Sequence, residues 1–137
     1  MLHFRFVIES EAALLSLKAE PVMLAREMDV VLSRMHECLE GHQIQEYLRL
    51  DSRFHEILVS HCNNRYFIKS FYQIAAIMDT VRNCLGSNSE HLERSIKQHE
   101  GIVKSIADRN NAAFLDIYRC HLLAECGSYW SPDSLRQ

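Results

Sequence analysis

The sequence predicts an all-α fold, an antiparallel bundle of about six helices joined by short loops. Three observations carry that expectation. Apolar residues recur at alternating steps of three and four along most of the 137-residue chain, the spacing of a helix with one buried face. No stretch alternates apolar and polar residues long enough to make a strand. With four Gly, two Pro and no Gly- or Ser-rich linker, the breaks separate helices rather than domains, so residues 1–137 read as one domain.

The first helix carries Arg5, Ile8, Ala12, Leu15 and Ala19 on one seam. Pro21 then suits the first turn of the second helix, where its missing N–H leaves nothing unpaired. That helix buries Met28, Val31, Leu32, Met35 and Leu39 and is expected to stop near Gly41. The third carries Ile44, Leu48, Asp51, His55, Leu58 and Cys62 and closes at Asn63-Asn64, because Asn tolerates the left-handed conformation that ends many helices. A fourth runs from about Tyr66 to Leu85, with Ile68, Phe71, Ala75, Met78, Arg82 and Leu85 on its stripe. Gly86-Ser87-Asn88-Ser89 is a turn, with Ser89 as N-cap of a fifth helix bearing Leu92, Ile96, His99, Val103 and Ile106. Asp108-Arg109-Asn110-Asn111 breaks it, and the last helix carries Phe114, Ile117, His121 and Ala124 before Gly127.

Composition narrows the function. Hydrophobic residues are 47% and charged residues 24% of the chain, a globular balance with enough apolar surface for a core. Eighteen acids against fifteen bases give a formal charge of -3, so no basic field awaits a phosphate backbone and this chain alone is not expected to bind nucleic acid. Five cysteines, at 38, 62, 84, 120 and 126, are odd in number and lack CxxC pairing, which argues against a disulfide framework and a Cys-based zinc site. They read as reduced thiols of a cytoplasmic protein. No apolar run approaches the ~20 residues that span a bilayer, and Met1-Leu2-His3-Phe4-Arg5 has no apolar region of a signal peptide.

Two of the six seam positions of the third helix are polar. Asp51 and His55 lie one turn apart where apolar residues belong, so both need a partner that offsets their desolvation. His99 and His121 also occupy seam positions. One carboxylate and three imidazoles on inward stripes of three helices form a set able to converge on one ion, as metal sites in bundles do. Their donors suit borderline divalent metals, zinc, nickel, manganese or iron, and ligand type alone does not select among them. A lone inward histidine is more often a hydrogen-bonded core residue than a ligand; four such positions together shift the balance toward metal. His3, His36, His42, His61 and His91 are expected at the surface or rim, with His61 the alternative ligand.

The motif Arg5-x-x-Ile8-Glu9 with Ala12-Ala13, then Asp51-x-x-Phe54-His55, Asn64, His99 and Ile102 ahead of Ile106-Ala107, and His121-Leu122 resembles the FCD domain. This is the C-terminal effector-sensing domain of the FadR subfamily of GntR bacterial transcription regulators. The resemblance runs from about Arg5 to Cys126. It implies a helical bundle that binds a metal through Asp51, His55, His99 and His121 at the bottom of a cavity, where the ion helps to hold a small organic acid. It also implies a homodimer, with operator DNA bound by an N-terminal winged helix-turn-helix that this sequence does not contain. Two positions depart from the family pattern: Asn63 stands where Gly is common, and Asn110-Asn111 where an acid is frequent. Because all four metal positions are present, the metal-free branch that senses long acyl thioesters is the poorer match.

Arg5 and Arg82, both on inward stripes, are candidates for a charge-assisted contact to the acid, and Tyr47, Tyr72 and Tyr118 for pocket hydroxyls. The ordinary alternative for each arginine is a helix-end salt bridge or a snorkelling surface position. The chain is not expected to be an enzyme, since no further acid is placed as general base and Glu56 and Glu125 adjoin the ligands only in sequence. The competing readings are a metal-dependent hydrolase and a helical dimerisation domain with a structural metal and no effector.

Overall fold

The apolar periodicity resolves into six helices: α1 (Leu2–Ala19), α2 (Pro21–Glu40), α3 (Ile44–Ser60), α4 (Arg65–Leu85), α5 (Ser89–Ala107) and α6 (Asn111–Leu122). The structure is a computed structural model that describes residues 2–85 and 89–123, with side chains described over 3–80 and 90–123. Among the described residues there is no strand, and the fold is all-α as expected. No described helix is long and apolar enough to cross a membrane.

Local chemistry sets the helix ends. Pro21 is the first residue of α2, a position where its missing N–H has no partner to lose. The expected stop at Gly41 holds, but the left-handed residue falls one position later, on His42 with φ 55°, while Gly41 has φ -88°. Asn63 does adopt φ 57°, after an α3 that ends at Ser60. Asn64 Oδ1 then accepts from the N–H groups of Tyr66 and Phe67 at 3.0 and 3.2 Å, capping α4. Asn110 Oδ1 accepts from the Ala113 N–H at 3.0 Å and caps α6 in the same way. The expected turn at 86–88 and the cap role of Ser89 lie outside the described residues and side chains, as do residues 124–137.

Helix α3 packs against α1, α2 and α4, α5 packs against α2 and α6, and α1 also meets α4 and α6. Short loops bring α2 and α3, and α5 and α6, back along one another. Their apolar faces meet in one main core that includes Leu24, Met28, Met35, Phe54, Leu58, Ile102, Ile106, Phe114 and Leu122. Gly101 faces Ile117: a Cβ there would sit 3.3 Å from the Ile117 Cδ1 atom. That close approach of α5 and α6 helps to bring His99 and His121 within reach of each other.

One seam differs from expectation. On α1 Leu15 is 37% exposed and Ala19 is exposed too, while Glu9, Ala13, Ser16 and Leu17 are buried. Apolar residues surround α1 on all sides, so periodicity alone does not fix its rotation. Polar pairing does, because Arg5 and Glu9 form a buried ion pair one turn apart.

Candidate metal centre and adjoining cavity

Asp51 and His55 project from α3, His99 from α5 and His121 from α6, each no more than 1% exposed. One ligating atom from each lies within 4.8 Å of the others. The His99 Nε2 is 2.7 Å from Asp51 Oδ1, and the His55 Nε2 is 3.6 Å from the same oxygen. The Nε2 atoms of His55 and His121 are 3.2 Å apart. The four residues singled out in the sequence are therefore brought together.

The opposite ring nitrogens face acceptors. His99 Nδ1 lies 2.6 Å from the Ser95 carbonyl oxygen, one turn back on α5. His121 Nδ1 lies 2.8 Å from Gln98 Oε1, and His55 Nδ1 lies 2.7 Å from Glu9 Oε1. A carbonyl or carboxylate oxygen only accepts, so each Nδ1 carries the proton and, in the neutral ring, each Nε2 presents a lone pair to the centre. His121 is neutral: burial, reinforced by His99 and His55, holds it well below the ordinary histidine value. Lone pairs facing one another and a carboxylate repel unless a cation lies among them. Nitrogen and carboxylate donors backed by outer acceptors are the pattern of a borderline divalent metal site, so the Asp51, His55, His99 and His121 group fits a metal ion.

Behind this group lies a polar layer in which Arg5, Tyr47 and Tyr118, read from the sequence as effector contacts, bond to Glu9 and Ser95. Glu9 accepts from Arg5 and from the Tyr118 hydroxyl as well as from His55. Burial alone would raise the Glu9 carboxyl, but the Arg5 and His55 charges and the bonds from His55 and Tyr118 hold it down to about 2. Tyr47 shares a 2.8 Å hydrogen bond with Ser95 Oγ, which is 3.2 Å from His99 Nδ1. Glu9 carried a sequence signal, its position four residues, one turn, after Arg5 on α1. Ser95 and Gln98 carried none.

A cavity of about 270 Å³ opens between α1, α3 and α4, and Arg5, Glu9, Ser52, His55, Tyr72 and Met78 are among its lining residues. Of the four grouped residues His55 alone borders it. Among the sequence-predicted effector contacts, Arg5 lies on its wall and Tyr72, 52% exposed, at its rim. Tyr47 and Tyr118 are buried behind His99 and His55 instead. Arg82 belongs to α4, and its side chain lies outside those described. His61 pairs with Glu27 at 3.2 Å and His36 with Glu100 at 3.0 Å, while His91, expected at the surface, is 8% exposed.

A family model, the FCD domain, matches residues 1–124. The chain belongs to the FCD family, whose domain is the C-terminal, effector-sensing domain of FadR-type GntR transcription regulators. No curated protein and no solved structure matches the chain.

Proposed function

We propose that residues 1–137 form one metal-dependent effector-sensing domain of a GntR-type regulator, which captures a small organic acid and controls DNA binding by a fused winged helix-turn-helix. The observation that carries this reading is the buried group itself, four ligating atoms within 4.8 Å of one another, set against a cavity. Asp51, His55, His99 and His121 would hold the ion, with zinc proposed first and nickel, manganese or iron suited to the same donors. When bound, a divalent ion supplies a fixed positive charge and open positions for a carboxylate oxygen.

The chain's own residues do the rest. Outer acceptors hold the three imidazoles with Nε2 inward, and Tyr118 and Tyr47 stiffen that arrangement from behind. Arg5, Tyr72 and, from α4, Arg82 are the proposed contacts to the acid. The cavity, about 270 Å³, is of a size that suits a small organic acid. The domain acts as a homodimer in the cytoplasm and performs no catalysis. An acid that binds one dimer arrangement better than another shifts the population by that difference in affinity.

The test is elemental analysis of protein purified without a metal-affinity tag, beside a variant carrying His55→Ala and His121→Ala. About one divalent ion per chain in the parent and little in the variant is expected. Organic acids should then raise the melting temperature of the loaded parent only. Absence of bound metal after reloading would overturn the reading.

A further inference from the structure

The three inward histidines are not held alike. His99 leans on a backbone carbonyl of its own helix, 2.6 Å away, and His121 on the neutral amide of Gln98. His55 leans on the Glu9 carboxylate, 46 positions away on another helix. Glu9 is 1% exposed and acts as acceptor for three donors: the Arg5 guanidinium, the Tyr118 hydroxyl and the His55 Nδ1–H. It also lines the cavity beside Arg5 and His55. A charged acceptor strengthens a hydrogen bond roughly twofold over a neutral one, and a carboxylate behind a ligating imidazole raises its basicity and fixes its orientation.

We propose that Glu9 is a positioning residue for the metal centre: its carboxylate locks His55 as the Nδ1–H form, so that the His55 Nε2 lone pair is held toward Asp51, His99 and His121. This rests on the metal reading above and adds to it a role for an acid on α1 that touches no ion. Tyr118 cannot replace it. The hydroxyl lies 2.8 Å from the same Nδ1, but its one proton is committed to Glu9, and without the carboxylate it is free to donate to Nδ1 and so favour the opposite tautomer. Glu9 thereby decides which way that hydrogen bond runs.

The test combines metal affinity with a tautomer readout on the full 137-residue chain. Zinc is titrated against a chelator of known affinity into the parent and Glu9→Gln, and nitrogen–proton correlation spectra of the metal-free, histidine-labelled proteins report which His55 nitrogen is protonated. The expected results are Nδ1–H at His55 in the parent, a loss or mixture of that form in Glu9→Gln, and zinc binding ~10–100-fold weaker in the variant. A merely structural role would lower the melting temperature of the metal-free variant without moving the tautomer or the affinity. Unchanged zinc affinity in a folded Glu9→Gln overturns the proposal and leaves the metal reading standing. If the variant does not fold, the parent decides alone, since an Nε2–H form of His55 there overturns the proposal. A parent that binds no zinc overturns the metal reading and the role of Glu9 with it.

Discussion

The imidazoles of His55 and His121 stack with their planes 5° apart and their Nε2 atoms 3.2 Å from each other. With both Nδ1 atoms bonded outward, the two Nε2 atoms face each other in a buried space. A cation held there would be bound by both, and several consequences are measurable.

Zinc added in large excess should stabilise the chain strongly. An ion present at 1,000 times its dissociation constant contributes about 4 kcal/mol, and a domain of this size gains roughly 3–5 °C per kcal/mol. The melting temperature of the parent is expected to rise by about 10 °C or more, and that of His121→Ala by almost nothing. Differential scanning fluorimetry with and without a chelator checks both.

Acid should destabilise the metal-free chain in two stages. The folded-state pKa of His121 is depressed below 6.5, so its contribution is complete above that pH and is lost as pH falls below it, because the unfolded chain then binds the proton first. Glu9 is depressed from 4.5 to about 2, so its contribution, on the order of 3 kcal/mol, is complete above 4.5 and fades as pH drops toward 2. Melting temperatures should be flat above about pH 7, decline below 6.5 and fall more steeply below 4.5. Stability that rises on acidification would contradict both assignments.

Phe54 is fully buried, with its ring edge-to-face against His99 at 4.3 Å between centroids. Phe54→Ala is expected to cost about 3–5 kcal/mol and to free the His99 ring. Urea unfolding of the metal-free protein reads the first effect, and a weaker zinc affinity reads the second.

The caps provide the contrasting case. Asn64→Ala and Asn110→Ala each remove a side-chain acceptor at a helix start and should cost about 1 kcal/mol apiece. Neither side chain reaches the buried group, so zinc affinity measured by competition should stay unchanged.

Much of this was legible in the residues. Helix boundaries followed from Pro21, Asn63-Asn64 and the break before Asn111, and the four polar seam residues met because a polar group in a core must meet something. What escaped was rotation and backing. Helix α1 is apolar all round, so its sequence did not show that Glu9 and not Leu15 faces inward; that depends on Arg5 and on His55 from α3. The left-handed residue at His42 escaped because Gly41 offered the conventional candidate. Tyr47 and Tyr118 were marked as pocket hydroxyls because composition cannot distinguish a tyrosine facing a cavity from one facing the back of a histidine.

The cavity touches the metal group at a single residue, His55, while Asp51, His99 and His121 lie sealed behind it. On this side of the described residues, traffic passes His55. An ion that arrives or departs through the cavity must pass whatever occupies it, so occupancy sets a residence time as well as an affinity. A chelator should strip the ion more slowly from a filled domain than from an empty one, and the sensor would then keep a record of its last occupant for as long as that exchange takes.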